Sequence, residues 1–168
     1  MSVNFGELIR NKEIKFSVTP HSTFSNDLHA RNFFGYLFNT SSKYINERSV
    51  INAYYKPGEN VLLKNEAINS NLNKETLKKV AEFGFDNIEN IVIYNNILEY
   101  CMLNGIDTKA EILQILKDFA EFAIYALELE AFVCGYHFNQ EEPHLHIVYK
   151  AKAKKKEPEE NSNEDEDL

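Results

Sequence analysis

Three of the chain's five histidines fall within the fifteen residues Gly135 to Tyr149. On either side of a polar segment closed by Pro143 lie two runs rich in β-formers, Ala131 to Phe138 and His144 to Lys150, which read as antiparallel strands joined by a short loop. Side chains alternate faces along a strand. If His137 stands opposite His144, then Gly135 faces His146 and Val133 faces Val148, and the three imidazoles share one face. His144 and His146 would then stand roughly 6.6 Å apart along the strand, with His137 roughly 5 Å across from them. Gly135 leaves room above its backbone. Neutral imidazoles converging in this way make a divalent metal site with positions left for water or substrate. The plainer alternative is a polar solvent face that happens to carry a His-x-His pair. The opposite face would hold Phe132, Cys134, Tyr136, Leu145, Ile147 and Tyr149, an apolar and aromatic surface suited to packing against helices.

The elements that must position this hairpin are partly legible upstream. Glu13 to Val18 alternates as a strand does and ends at Thr19-Pro20. A helix is expected from about Asn26 to Phe38, with Leu28, Phe33, Phe34, Leu37 and Phe38 as its apolar stripe. Arg48 to Lys56 reads as a second strand, followed by a turn at Pro57-Gly58-Glu59-Asn60. Val61 to Asn73 reads as loop or weak helix, and Asn73 to Phe83 as a helix capped by Asn73 and ended at Gly84. From Ile88 to Met102 the spacing favours a helix ended by Asn104-Gly105, with a strand at Ile91 to Tyr94 as the alternative. Asp107 to Glu130 is the clearest helix, opened by a capping box of Thr108 and Glu111. The expected fold is therefore α+β: an antiparallel sheet with helices packed on one face and the metal site on the other. Residues 1–150 form one domain that includes the hairpin of residues 131–150.

The chain of 168 residues is long enough for a real core. No apolar run approaches the roughly 18 residues of a membrane span, and Met1 to Arg10 lacks a signal pattern. Cys101 and Cys134 lie in apolar stretches and read as buried, reduced thiols of a cytoplasmic protein. The net charge of −8 speaks against nucleic acid, but Glu157 to Leu168 holds seven acids and no base, which leaves the rest close to neutral. The tail, residues 151–168, runs from basic (Lys152, Lys154, Lys155, Lys156) to acidic, a composition expected to stay disordered. It is either a solubilising segment or one that binds a protein partner or competes with nucleic acid.

His137 followed by Pro143-His144-Leu145-His146 resembles the His-hydrophobe-His signature of the HUH endonucleases, with a spacing similar to that of the plasmid mobilisation and recombination (Mob/Pre) relaxases. The three histidines and the proline fall in register. Asn139 and Gln140 stand where those relaxases carry an acidic pair, with Glu141 and Glu142 displaced beside them. Arg48-Ser49-Val50-Ile51-Asn52 is similar to a second relaxase motif upstream, which would make Arg48 and Asn52 substrate-binding. The resemblance implies a relaxase-like fold, with His137, His144 and His146 holding Mn or Mg. It implies nicking of single-stranded DNA through a covalent 5′-phosphoryl link to a Tyr or His near the N-terminus. The candidates for that role are His29, His21, Tyr36 and Tyr44. His29 ranks first, because Arg31 beside it could steady a phosphate. Such a protein would work as a monomer or weak dimer away from membranes. A non-cleaving relative that binds DNA or protein is the alternative, favoured by the missing acids and the acidic charge. A histidine-triad nucleotide hydrolase would want a further His where Val148 stands.

Overall fold

Segments rich in branched and aromatic side chains make six strands, and these pair in one sheet of order β1-β4-β6-β5-β2-β3, antiparallel at every junction. In chain order the elements are α1 (Phe5–Arg10), β1 (Phe16–Pro20), α2 (Asp27–Leu37), β2 (Ala53–Tyr55), β3 (Leu62–Leu63), α3 (Glu66–Phe83), β4 (Ile88–Asn95), α4 (Ile97–Leu103), α5 (Lys109–Ala126), β5 (Glu130–His137) and β6 (His144–Lys150). The computed structural model describes residues 3–20, 27–38, 53–59, 61–63, 66–84, 87–137 and 143–151. The expected tail, the polar hairpin loop and the Arg48 to Asn52 stretch lie outside those residues. No helix among the described residues is long and apolar enough to cross a membrane.

The α+β class holds, with α1, α4 and α5 on one face of the sheet. Phe5, Phe16, Phe119 and Phe122 meet there with ring centroids 5.5–5.9 Å apart. They join Ile97 and Cys101 of α4 and the inward residues Tyr55, Ile91, Ile93, Cys134, Tyr136, Leu145 and Ile147 of the strands. Burying each such aromatic or branched side chain contributes about 1.5–3 kcal/mol before the entropy of ordering it. Thr108 caps α5, accepting from the Glu111 amide at 3.2 Å while its hydroxyl donates to the Glu111 carboxylate at 2.8 Å. The opposite face carries a second apolar cluster under α2 and α3: Ala30, Phe34, Leu37 and Phe38 with Leu72 and Val80, set on Tyr54, Ile88, Val133 and Val148. Helices therefore also lie over the histidine side of the sheet.

Several boundaries differ from the sequence reading. Residues 88–102 are a strand followed by a short helix, not one helix. β4 lies between β1 and β6 and is buried along nearly all its length. A strand buried on both faces has a continuous apolar pattern that mimics helical spacing. Asn95 ends β4 at the junction, its side chain donating to the Ile93 carbonyl at 3.1 Å and accepting from the Ile97 amide at 3.2 Å. Asn73 is not a cap, because α3 begins at Glu66 and carries it in its interior. α5 stops at Ala126, and Glu128 adopts a left-handed φ of 55° as the chain turns into β5. A bulge between Ala131 and Val133 moves Phe132 off the α5 face, where strict alternation would place it. It packs with the second cluster, 5.3 Å from the Phe83 ring. Phe5 to Arg10 forms a helix, capped by Asn4, that the sequence reading did not anticipate.

Candidate metal centre

The hairpin register is the expected one: His137 pairs with His144, Gly135 with His146 and Val133 with Val148. Because β5 and β6 are neighbours and the strand period is two, His137, His144 and His146 stand on one face. Their ring centroids are 4.7–5.3 Å apart. The His144 and His146 Nε2 atoms lie 3.1 Å from each other. Each of the three residues offers a nitrogen within 4.8 Å of the others, so the group can hold a metal ion. Ligands drawn to about 2.1 Å from one ion stand roughly 3.0–3.4 Å apart in octahedral or tetrahedral arrangements. The His144–His146 pair already meets that spacing. The third, His137, offers a nitrogen within 4.8 Å of the other two.

The centre is roofed by α2. The expected space above Gly135 is filled by Leu37, whose Cδ1 would lie 2.6 Å from a Cβ built on Gly135. The Leu37 carbonyl, at the end of α2, is 2.8 Å from His137 Nε2. A carbonyl only accepts, so Nε2 carries the hydrogen and Nδ1 the lone pair in the neutral ring. Nδ1 is buried without a hydrogen-bond partner among the described residues. Burial holds the His137 pKa down to about 4, with a positive His144 acting in the same direction and the Leu37 carbonyl opposing both. At neutral pH the ring is therefore neutral, the form that binds metal. His137, His144 and His146 are 0, 6 and 3% exposed. The orphaned nitrogen, the neutral His137 ring and the convergence of three buried imidazoles together fit a metal ion better than a polar solvent face.

Tyr36 and Phe33 complete the enclosure from α2. The Tyr36 hydroxyl is 3.3 Å from His144 Nε2, and its ring meets those of His137 and His146 edge-on at 4.8 and 5.5 Å. Phe33 closes on His146 at 5.6 Å and Tyr94 on His144 at 5.7 Å. Of the residues expected to act, the structure thus gathers the three histidines and Tyr36. His29 and Arg31 are exposed on the first turns of α2, with His29 two turns before Tyr36 on the same side of the helix, roughly 10 Å along its axis. His21, Tyr44, Arg48 and Asn52 lie outside the described residues, as do Asn139 to Glu142. The sequence reading missed Tyr94, because it placed that residue in a helix. It also missed Phe33 and the Leu37 carbonyl as parts of the site. The seven-residue spacing of His29 and Tyr36, with Phe33 between them, was the available signal that one face of α2 points at the imidazoles. Comparison of the chain with protein-family models, with curated proteins and with solved structures finds no match, so the site rests on the chain's own residues.

Proposed function

We propose that this protein is a metal-dependent, relaxase-like endonuclease that nicks single-stranded DNA and keeps the 5′ phosphate on a tyrosine. The observation that carries this reading is the Tyr36 hydroxyl 3.3 Å from Nε2 of His144, within a cluster of three buried imidazoles. His137, His144 and His146 would hold the ion, which when bound withdraws charge from a phosphate oxygen. Tyr36 is the nucleophile in this reading. Its oxygen forms a bond to phosphorus, the bond to the 3′ oxygen breaks, and that oxygen leaves as a 3′ hydroxyl by taking up one proton, balancing the one the phenol gives up. Phe33 and Leu37 exclude water from the centre, and Arg31 and His29 stand further along α2 where the DNA backbone would run. In the same reading the acidic sequence from Glu157 to Leu168 would serve to bind a protein partner.

The test is incubation of the metal-loaded protein with 3′-labelled single-stranded oligonucleotides of random sequence. The expected result is a label that stays with the denatured protein, absent in Tyr36→Phe. Loss in His29→Ala with retention in Tyr36→Phe would move the nucleophile to His29. A second reading, a non-cleaving DNA- or protein-binding module, draws on the burial of all three imidazoles beneath α2. Oligonucleotide binding without any adduct, by protein shown to carry metal, would favour it.

A further inference from the structure

We infer that the Tyr36 phenol oxygen is the fourth protein ligand of the ion held by His137, His144 and His146, making a three-histidine, one-tyrosine centre that selects a transition metal over magnesium. This rests on the metal-centre reading above and adds the resting state of the nucleophile.

Spacing is the first support. The Tyr36 oxygen lies 3.3 Å from Nε2 of His144, and that nitrogen lies 3.1 Å from Nε2 of His146. Both separations match neighbouring ligands on one small ion, roughly 3.0–3.4 Å apart. As a hydrogen bond the phenol–imidazole contact is long, beyond the usual reach of about 3.2 Å. The phenol ring also touches the other two imidazoles, which sets it among all three.

Charge is the second support. Three neutral imidazoles leave both positive charges of a divalent ion uncompensated in a site whose histidines are at most 6% exposed. A buried charge is costly unless it is paired. Among the described residues no carboxylate joins the histidine group. A phenolate brings negative charge to the ion: on loading, the Tyr36 O–H gives its proton to water and an oxygen–metal bond forms. Imidazole nitrogens suit iron, copper, nickel or zinc, whereas magnesium favours all-oxygen shells and keeps its waters. When a DNA phosphate takes the oxygen's place, Tyr36 is released already deprotonated, an activated nucleophile.

The test uses the full chain stripped of metal and reloaded with Cu²⁺ or Fe³⁺. Wild type is expected to show a visible phenolate-to-metal charge-transfer band. Tyr36→Phe keeps the ring packing; it should bind the ion at least about tenfold more weakly and show no band. Counting protons released on Zn²⁺ binding gives an independent readout, with one more proton from wild type than from Tyr36→Phe. A loaded wild type with no band, and equal affinity and proton release in Tyr36→Phe, overturns the tyrosine ligand while leaving the histidine centre standing. A wild type that binds no metal overturns both.

Discussion

The two faces of the sheet solve the same burial problem differently. Beneath α5, among the described residues, the buried side-chain oxygens and nitrogens have partners. Tyr55 donates to Glu121 at 2.8 Å, Tyr149 donates to Glu89 at 2.9 Å, and Tyr136 donates to the Leu116 carbonyl. On the face covered by α2 and α3, some buried polar atoms are left over. His137 Nδ1 and the Asn90 side-chain oxygen have no hydrogen-bond partner among the described residues. A buried polar atom without a partner costs about 1–3 kcal/mol. One face is therefore built for stability, and the other gives stability up at the place where three imidazoles converge.

Mutations can break this division or sharpen it. The largest effect on stability is expected from Phe119→Ala, since Phe119 is fully buried and joins α5 to Phe5 and Phe16. A loss of about 3–5 kcal/mol in urea denaturation is expected, with metal affinity of the folded protein unchanged. A parallel loss of affinity would show that the faces are not separable.

Acid should act on the other face. The folded pKa of His137 is depressed to about 4 from an ordinary value of 6.5. Stability from this neutral ring is complete above pH 6.5, where neither folded nor unfolded chain is protonated there. It is lost as pH falls through 4, by about 3 kcal/mol in all. Denaturation of metal-free wild type and His137→Leu across that window should show the slope in the wild type and a flatter curve in the variant.

Gly135→Ala tests the seating of α2. Its new Cβ would meet the flexible end of Leu37 at 2.6 Å, so a cost of about 1–3 kcal/mol is expected. Metal affinity should change as well, because the Leu37 carbonyl moves against His137. The smallest effect belongs to Thr108→Ala, which removes the α5 cap. About 1 kcal/mol should be lost, with no change at the metal centre.

The hairpin was readable because two strict periods coincide in it. Alternation fixes the face of His137, His144 and His146, and the short connection fixes their register. The α5 capping box was readable for the same local reason. What failed locally was set by tertiary context. β4 is buried on both faces, so Ile88, Ile91, Val92 and Ile93 carry no alternation to separate strand from helix. The bulge at Phe132 is a property of the pairing with β6 and has no mark in the sequence. Helix α2 was visible from its apolar stripe, but its docking across the histidines depends on Gly135 receiving Leu37, a contact between residues far apart in the chain. Ranking His29 above Tyr36 followed from the neighbouring Arg31, whereas the structure brings Tyr36 to the imidazoles.

The most direct measurement is calorimetric titration of the metal-free protein with Mn²⁺ and Zn²⁺, beside a His144→Ala/His146→Ala variant. Wild type should bind one ion per chain, and the double variant should bind none while keeping its far-ultraviolet circular dichroism. A folded wild type that takes up neither ion, or a variant that binds as well as wild type, would contradict a metal centre at His137, His144 and His146.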